Sequence, residues 1–414
     1  MENQNQFYLG IDLDDTYAVV SYYELNKAEP ETVSTVAGSE VFQIPVLLTK
    51  RNGIGQWLIG EEAGRLAAAQ GGTCVDHLLS RALKGETAMV DNEQFKAEEL
   101  LRLYLKKLIL LAGSLGKPQK PDRLVICLES LSREAAGLFE RMMPGMGMKT
   151  EQLILLDRKE CFYYFVYHQK QELTLHDVYL FDYRGDELRC CCMEKTPRTS
   201  PQMVTMTEEA VRMPMQGQDP TFLRVLQECF KGRIVSAAYL VGDGFDGGWM
   251  QRSVSFLCKG RKAFVGKNLY SKGACYAAAV IAGNQTWQYV YLGDNEMKVN
   301  VSLKLYNRGT PEFFTLINAG DNWYDTVGSC EVILDGTPEI DFWLQPPNSR
   351  EAKVESLELS DLPKRPERAT RLRITARPLS DVRVHIQIKD LGFGEIFRSS
   401  DKVWEHVMTL EEET

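Results

Sequence analysis

The chain has 414 residues, enough for two or three hydrophobic cores rather than one. With 44% hydrophobic residues, 25% charged residues and a net charge of −9, it has a globular composition without the basic field that nucleic acid or an anionic membrane requires. No apolar run reaches the ~18 residues of a membrane helix. The polar start, Met1 to Gln6, predicts no leader peptide, and the location expected is cytoplasmic.

In chain order, residues 7–11 form an apolar strand that ends in the polar turn Asp12-Leu13-Asp14-Asp15-Thr16, and residues 17–25 return as a second strand. Strands are expected at 41–49 and 55–59, and helices at 61–69 and 94–112, the latter with leucines along a broad face. A buried-type strand at 124–128, a helix at 132–143, a strand at 153–156 and an aromatic helix at 159–169 complete this part. A second cycle starts at the strand 178–182. The turn Tyr183-Arg184-Gly185-Asp186 leads to a strand at 187–192, a strand at 203–206 and a helix at 221–230. A strand at 237–241 runs into Gly242-Asp243-Gly244-Phe245-Asp246-Gly247-Gly248, followed by a strand at 263–266 and a helix at 273–282. The same order of elements therefore occurs twice, with an aspartate ending each first strand: Asp12, then Asp182. Beyond Gly283 the pattern changes to short strands at 298–306, 312–318, 331–334, 340–344, 371–377 and 382–388, which suggests an antiparallel sandwich. The connecting run Trp287 to Leu292 is too apolar for a free linker.

A duplicated strand–turn–strand unit with an acidic strand end suits nucleotide binding. The turn aims backbone N–H groups at phosphate, and the aspartate holds a metal-bound water. On these residues the chain resembles the actin-like ATPase superfamily, and within it the seventy-kilodalton heat-shock chaperones (DnaK-like). Residues 10–17 are similar to the first phosphate hairpin, and Phe181-Asp182-Tyr183-Arg184-Gly185 to the second. Leu240-Val241-Gly242-Asp243-Gly244 is similar to the adenosine motif, and residues 273–279 to the final helix of the ATPase domain.

The resemblance implies an α/β fold: a duplicated actin-like ATPase core of ribonuclease H-like lobes followed by an antiparallel β-sandwich. It implies lobe I at 1–177 with an inserted upper subdomain at about 38–113, lobe II at 178–286 without its upper subdomain, an apolar linker at 287–298, and a substrate-domain-like sandwich at 299–414 without a helical lid. Asp12, Thr16, Asp182, Gly185, Gly242 and Gly244 are the implied contacts to ATP or ADP, with Asp12 and Asp182 toward Mg²⁺. The partner expected is a protein or extended peptide held by the sandwich, with no nucleic acid and no membrane.

The departures from the family pattern weaken the nucleotide site. Asp14 and Asp15 stand in place of a glycine and a threonine. A carboxylate ~4 Å from a phosphate charge repels it by roughly 1–4 kcal/mol. Tyr183 and Arg184 replace two glycines, Glu187 a catalytic threonine, Arg189 an acid and Leu128 a proline, while Asp157 matches an acidic position. No catalytic residue is assigned, and weak or absent ATP hydrolysis is expected, in a chaperone-like or scaffold role.

Two further patterns compete with the chaperone-like or scaffold reading. Asp12-Leu13-Asp14-Asp15-Thr16 after an apolar strand resembles the first motif of haloacid-dehalogenase-type Mg-dependent phosphatases, which would use Asp12, Asp14, Asp243 and Asp246. The Gly242, Gly244, Gly247 spacing fits a dinucleotide fingerprint but lacks the later acidic residue. The ten cysteines show no zinc spacing, and Cys190-Cys191-Cys192 is expected as small buried residues in a strand. The basic run 364–373 is expected as a solvated loop entering a strand, and most aromatics beyond residue 300 as sandwich core.

Overall fold

A computed structural model describes residues 6–36, 38–114, 120–196, 201–214, 218–347, 349 and 351–410. The protein is mixed α/β and divides into two compact units. One comprises residues 1–194 with 206–287, the other residues 195–205 with 288–414. Among the described residues no helix is long and apolar enough to cross a membrane.

The first unit holds two sheets of the same strand order. In the first, Leu153–Asp157, Arg123–Leu128 and Phe7–Leu13 run parallel, and Tyr17–Glu24 then Glu31–Thr32 follow antiparallel. In the second, Lys262–Val265, Val235–Val241 and Asp177–Arg184 run parallel, and Glu187–Thr196 follows antiparallel. Every residue of Phe7–Leu13 is buried, as expected of a strand covered on both faces. The helices Arg158–Tyr167 and Leu269–Ile281 cross closely because Gly273 has no side chain. A Cβ there would collide with the Cys161 carbonyl, and one on Gly10 with the Ser271 carbonyl.

Between Ile44–Pro45 and Arg123–Leu128 lies an insertion. It has a small sheet of Leu48–Arg51, Trp57–Ile59 and Gly72–Val75, the helices Gly60–Ala68, Leu78–Leu83 and Ala97–Ser114, and the hairpin Thr87–Val90 with Glu93–Lys96. The sequence places residues 94–96 in the long helix. Instead they pair back across Asp91-Asn92, both at positive φ, as a tight hairpin demands.

The second unit contains two four-stranded antiparallel sheets. One orders Thr310–Ile317, Asn300–Asn307, Glu339–Gln345 and Lys353–Glu358. The other orders Gly328–Ile333, Arg371–Ser380, Arg383–Gly392 and Val403–Thr409. Val301, Leu303, Phe342 and Leu344 from one sheet share a core with Leu372, Ile374, Ile386 and Ile388 from the other. Each such side chain contributes about 1.5–3 kcal/mol of transfer free energy.

Two sequence expectations change here. Phe342 is fully buried and Trp323 and Trp404 pack on the core, but Phe313 and Phe314, on opposite faces of the exposed part of Thr310–Ile317, and Phe393, just past Arg383–Gly392, are exposed. The run 364–373 is not all solvated. Arg365 turns inward and makes a two-pronged ion pair with Asp390, at 2.8 and 2.7 Å, with the two side chains 5% and 0% exposed. Burial alone would raise the Asp390 pKa, but Arg365, Ser400 and the Gly392 N–H hold it far below the ordinary carboxylate value.

Candidate functional site

In the first unit each sheet delivers a hairpin whose leading strand carries an aspartate near its end. Asp12 closes the hairpin Phe7–Leu13 to Tyr17–Glu24, and Asp182 lies near the end of Asp177–Arg184. Asp12, Thr16, Gly185 and Gly242 line one cleft of about 370 Å³, together with Asp14, Arg158, Arg184, Asp243, Asp246, Lys267 and Tyr270. Asp182 lines an adjoining cavity that shares Arg158, Arg184 and Tyr270. The cleft volume falls within the ~300–1,000 Å³ of small-molecule sites.

The remaining expected contact, Gly244, lines neither cavity. The Tyr183 ring occupies the space beside it, and its carbonyl accepts from Trp249 Nε1 at 3.1 Å. The strand runs on through Arg184, so the turn is Gly185-Asp186 rather than four residues beginning at Tyr183. Strand alternation then sends Tyr183 into the core, where its hydroxyl donates to the Met213 carbonyl, and leaves Arg184 beside Asp182. Gly242 is held at φ +97°, and a Cβ there would strike the Tyr183 carbonyl.

Asp14 determines the chemistry at the centre of the cleft. Its Oδ1 accepts from the backbone N–H groups of Thr16 at 2.7 Å and Tyr17 at 2.8 Å. Its Oδ2 accepts from Arg158 at 2.9 Å and from Arg184 at 3.2 Å. The turn's N–H donors and both guanidiniums thus already serve a carboxylate of the same chain. Burial would raise the Asp14 pKa, but the Tyr17 N–H and Arg158 hold it below its ordinary value, so it stays ionised at neutral pH. The neighbouring Asp15 turns away and accepts from the Ser80 N–H at 2.9 Å.

The two aspartates that the family resemblance assigns to magnesium are also engaged. Asp12 Oδ1 accepts from Arg158 Nε at 2.8 Å. Asp182 accepts from Arg184 Nε at 2.9 Å and from the Tyr270 hydroxyl at 3.2 Å. Burial opposes the charge on Arg158, yet Asp12 raises its pKa well above the ordinary arginine value. A chain of contacts, Asp12–Arg158–Asp14–Arg184–Asp182, therefore links the two hairpins. This donor set does not suit Mg²⁺, because each carboxylate already faces a permanent cation that would repel the dication. Nor does the cleft offer a surplus of positive charge to a triphosphate: its lining carries Asp12, Asp14, Asp243 and Asp246 against Arg158, Arg184 and Lys267, and Lys267 is paired with Asp246 at 2.7 Å.

Asp157 caps the following helix, accepting from the Glu160 N–H at 2.7 Å. Glu187 and Glu129 both pair with Arg189. Sequence reasoning missed Arg158 and Tyr270. Arg158 directly follows the cap Asp157 at the end of a buried strand, a position where a side chain enters the cleft from a helix start. The acidic set of the phosphatase pattern does gather in one cleft, but Phe7–Leu13 runs into an antiparallel strand rather than a helix.

Residues 296–410 match a domain of unknown function, DUF8552. No curated protein matches the chain. Residues 29–294, more than half of the chain, match the C-terminal part of a family of unknown function, DUF5716, and the protein belongs to that family.

Proposed function

We propose that this protein is a non-hydrolysing member of the actin-like ATPase superfamily, similar in organisation to the seventy-kilodalton heat-shock chaperones, that works as a binding or scaffold protein. One observation carries the reading: the Asp14 carboxylate takes the turn N–H groups and the two arginines that a bound phosphate would need. Supporting it are the two sheets that share one strand order, each bringing a hairpin to the cleft. ATP or ADP with Mg²⁺ would have to displace Asp14 and separate Asp12 and Asp182 from their arginines, so nucleotide affinity is weak or nil.

The partner is a protein or extended peptide engaged by the second unit. Exposed Tyr306, Phe313, Phe314 and Phe393 and the open edges of its sheets favour such contacts. The second reading, a Mg-dependent phosphatase, draws on Asp12, Asp14, Asp243 and Asp246 lining one cleft.

The test is phosphate release with Mg²⁺ from ATP and from a small aryl phosphate. No release from either is expected. Turnover of ATP would refute the proposal. Hydrolysis of the aryl phosphate, lost in Asp12→Asn and Asp14→Asn, would put the phosphatase in its place.

A further inference from the structure

A second cleft in the first unit, of about 490 Å³, is unrelated to the hairpin site and is lined by three cysteines. In the strand Glu187–Thr196 alternation puts Cys190 and Cys192 on one face and Cys191 on the other. Cys191 lines the cavity beside Asp182, with its thiol toward Glu208. Cys190 and Cys192 line the second cleft and meet Cys229, the last residue of the helix Gln218–Cys229. The Tyr179 hydroxyl donates to the Cys229 carbonyl at 2.6 Å and fixes the helix end against the sheet.

The three thiols are not equivalent. The Cys190 and Cys229 thiols interact with each other. Cys192 is engaged by Tyr179 and lies near Glu194. Cys190 is buried, whereas Cys229 is half-buried and open to the cleft. Arg233 lies on the cleft wall, bridging Asp177 and Glu194.

We infer that Cys190 and Cys229 form a reversible dithiol–disulfide pair, oxidised by small hydroperoxides that enter through this cleft. Cys229, the less buried of the two and open to the cleft, is the thiol a peroxide reaches, and as the thiolate it is the attacking group, with Cys190 behind it as the resolving thiol. The Cys229 sulfur attacks the peroxide oxygen and the O–O bond breaks. Cys229 becomes a sulfenic acid, and hydroxide leaves, taking a proton to form water (an alcohol from an alkyl hydroperoxide). The Cys190 sulfur then attacks the sulfenic sulfur. The S–S bond forms, the S–O bond breaks, and water leaves with the Cys190 proton. Two thiols thus supply the two electrons that reduce one hydroperoxide, and a thiol reductant reverses the bond.

The protein supplies its own comparisons. Cys127 and Cys161 also interact with each other but are buried, and Cys74 and Cys258 are exposed as single thiols. The fully reduced full-length chain is treated with stoichiometric hydrogen peroxide, quenched by alkylation at intervals and mapped by peptide mass spectrometry. The expected result is a Cys190–Cys229 cross-link that forms before Cys74 or Cys258 reacts, while Cys127 and Cys161 remain thiols. In Cys190→Ser, Cys229 accumulates as a sulfenic acid captured by dimedone. The wild-type map decides alone if that variant does not fold. The inference is overturned if Cys229 reacts no faster than Cys74 and Cys258, if Cys229 bridges to Cys192, or if Cys127–Cys161 oxidises first.

Discussion

Replacing Asp14 with alanine removes the carboxylate that joins the two hairpins. The variant frees the N–H groups of Thr16 and Tyr17 and one contact each on Arg158 and Arg184. Both arginines keep a carboxylate partner, Asp12 and Asp182, so neither is left uncompensated. The stability cost is therefore about 1–3 kcal/mol, the scale of one or two charge-assisted hydrogen bonds, rather than that of an orphaned buried ion. Anion binding should improve. Removing a unit negative charge ~4 Å from a phosphate charge relieves roughly 1–4 kcal/mol, which is roughly a 5- to 700-fold gain in affinity. Titration calorimetry with inorganic phosphate and with ATP, on wild type and on Asp14→Ala checked for folding by thermal melting, measures this gain. Equal affinities in the two proteins, or weaker binding in the variant, would refute the argument that Asp14 fills the phosphate position.

Arg158→Gln should destabilise the first unit by about 3–5 kcal/mol in urea unfolding, because it strips Asp12 of its cation, and adding Asp12→Asn should recover part of the loss. Arg365→Ala should cost the second unit a similar amount by leaving the buried Asp390 without its cation. Asp14 and Asp390 both have folded pKa values below their unfolded ones, so their contribution to stability is fully present above about pH 4–5. It is lost as pH falls through the depressed folded values, and Asp14→Asn should flatten that acid limb when stability is measured from pH 6 down to pH 2. Gly273→Ala should cost about 1–3 kcal/mol of thermal stability through its collision with the Cys161 backbone.

Much of the architecture was legible because it rests on burial. The apolar runs at 7–11, 124–128, 178–182 and 237–241 could be read as strands without partners in view, and each is a strand with the ends extended by a residue or more. The weak points were local. Leu78–Leu83 and Gln251–Leu257 are too short for a helical period to stand out, and Lys353–Glu358 and Val403–Thr409 lie on mostly exposed sheet edges. The hairpin at Asp91-Asn92 carried a readable turn that the leucine pattern of the next helix obscured.

At the cleft, Asp12, Asp14 and Asp182 were visible as motif residues, and Asp14 was identified as a source of repulsion. Its contacts with the Thr16 and Tyr17 N–H groups are local, but the convergence of both guanidiniums on it depends on Arg158, 144 residues away in sequence, and on the strand running through Arg184. Neither dependence is local, so neither could be read from spacing. The same holds for Cys190 and Cys229, which come together only because the strand and the helix end fold onto one another.

On this reading the nucleotide position is satisfied by the chain's own carboxylate. This is tested most directly by calorimetric titration of the wild-type protein with ATP in the presence of Mg²⁺. No saturable heat up to about 1 mM ATP is expected, a ceiling of about −4 kcal/mol. Micromolar, magnesium-dependent binding that Asp12→Ala and Asp182→Ala abolish would contradict the account and establish a working nucleotide site.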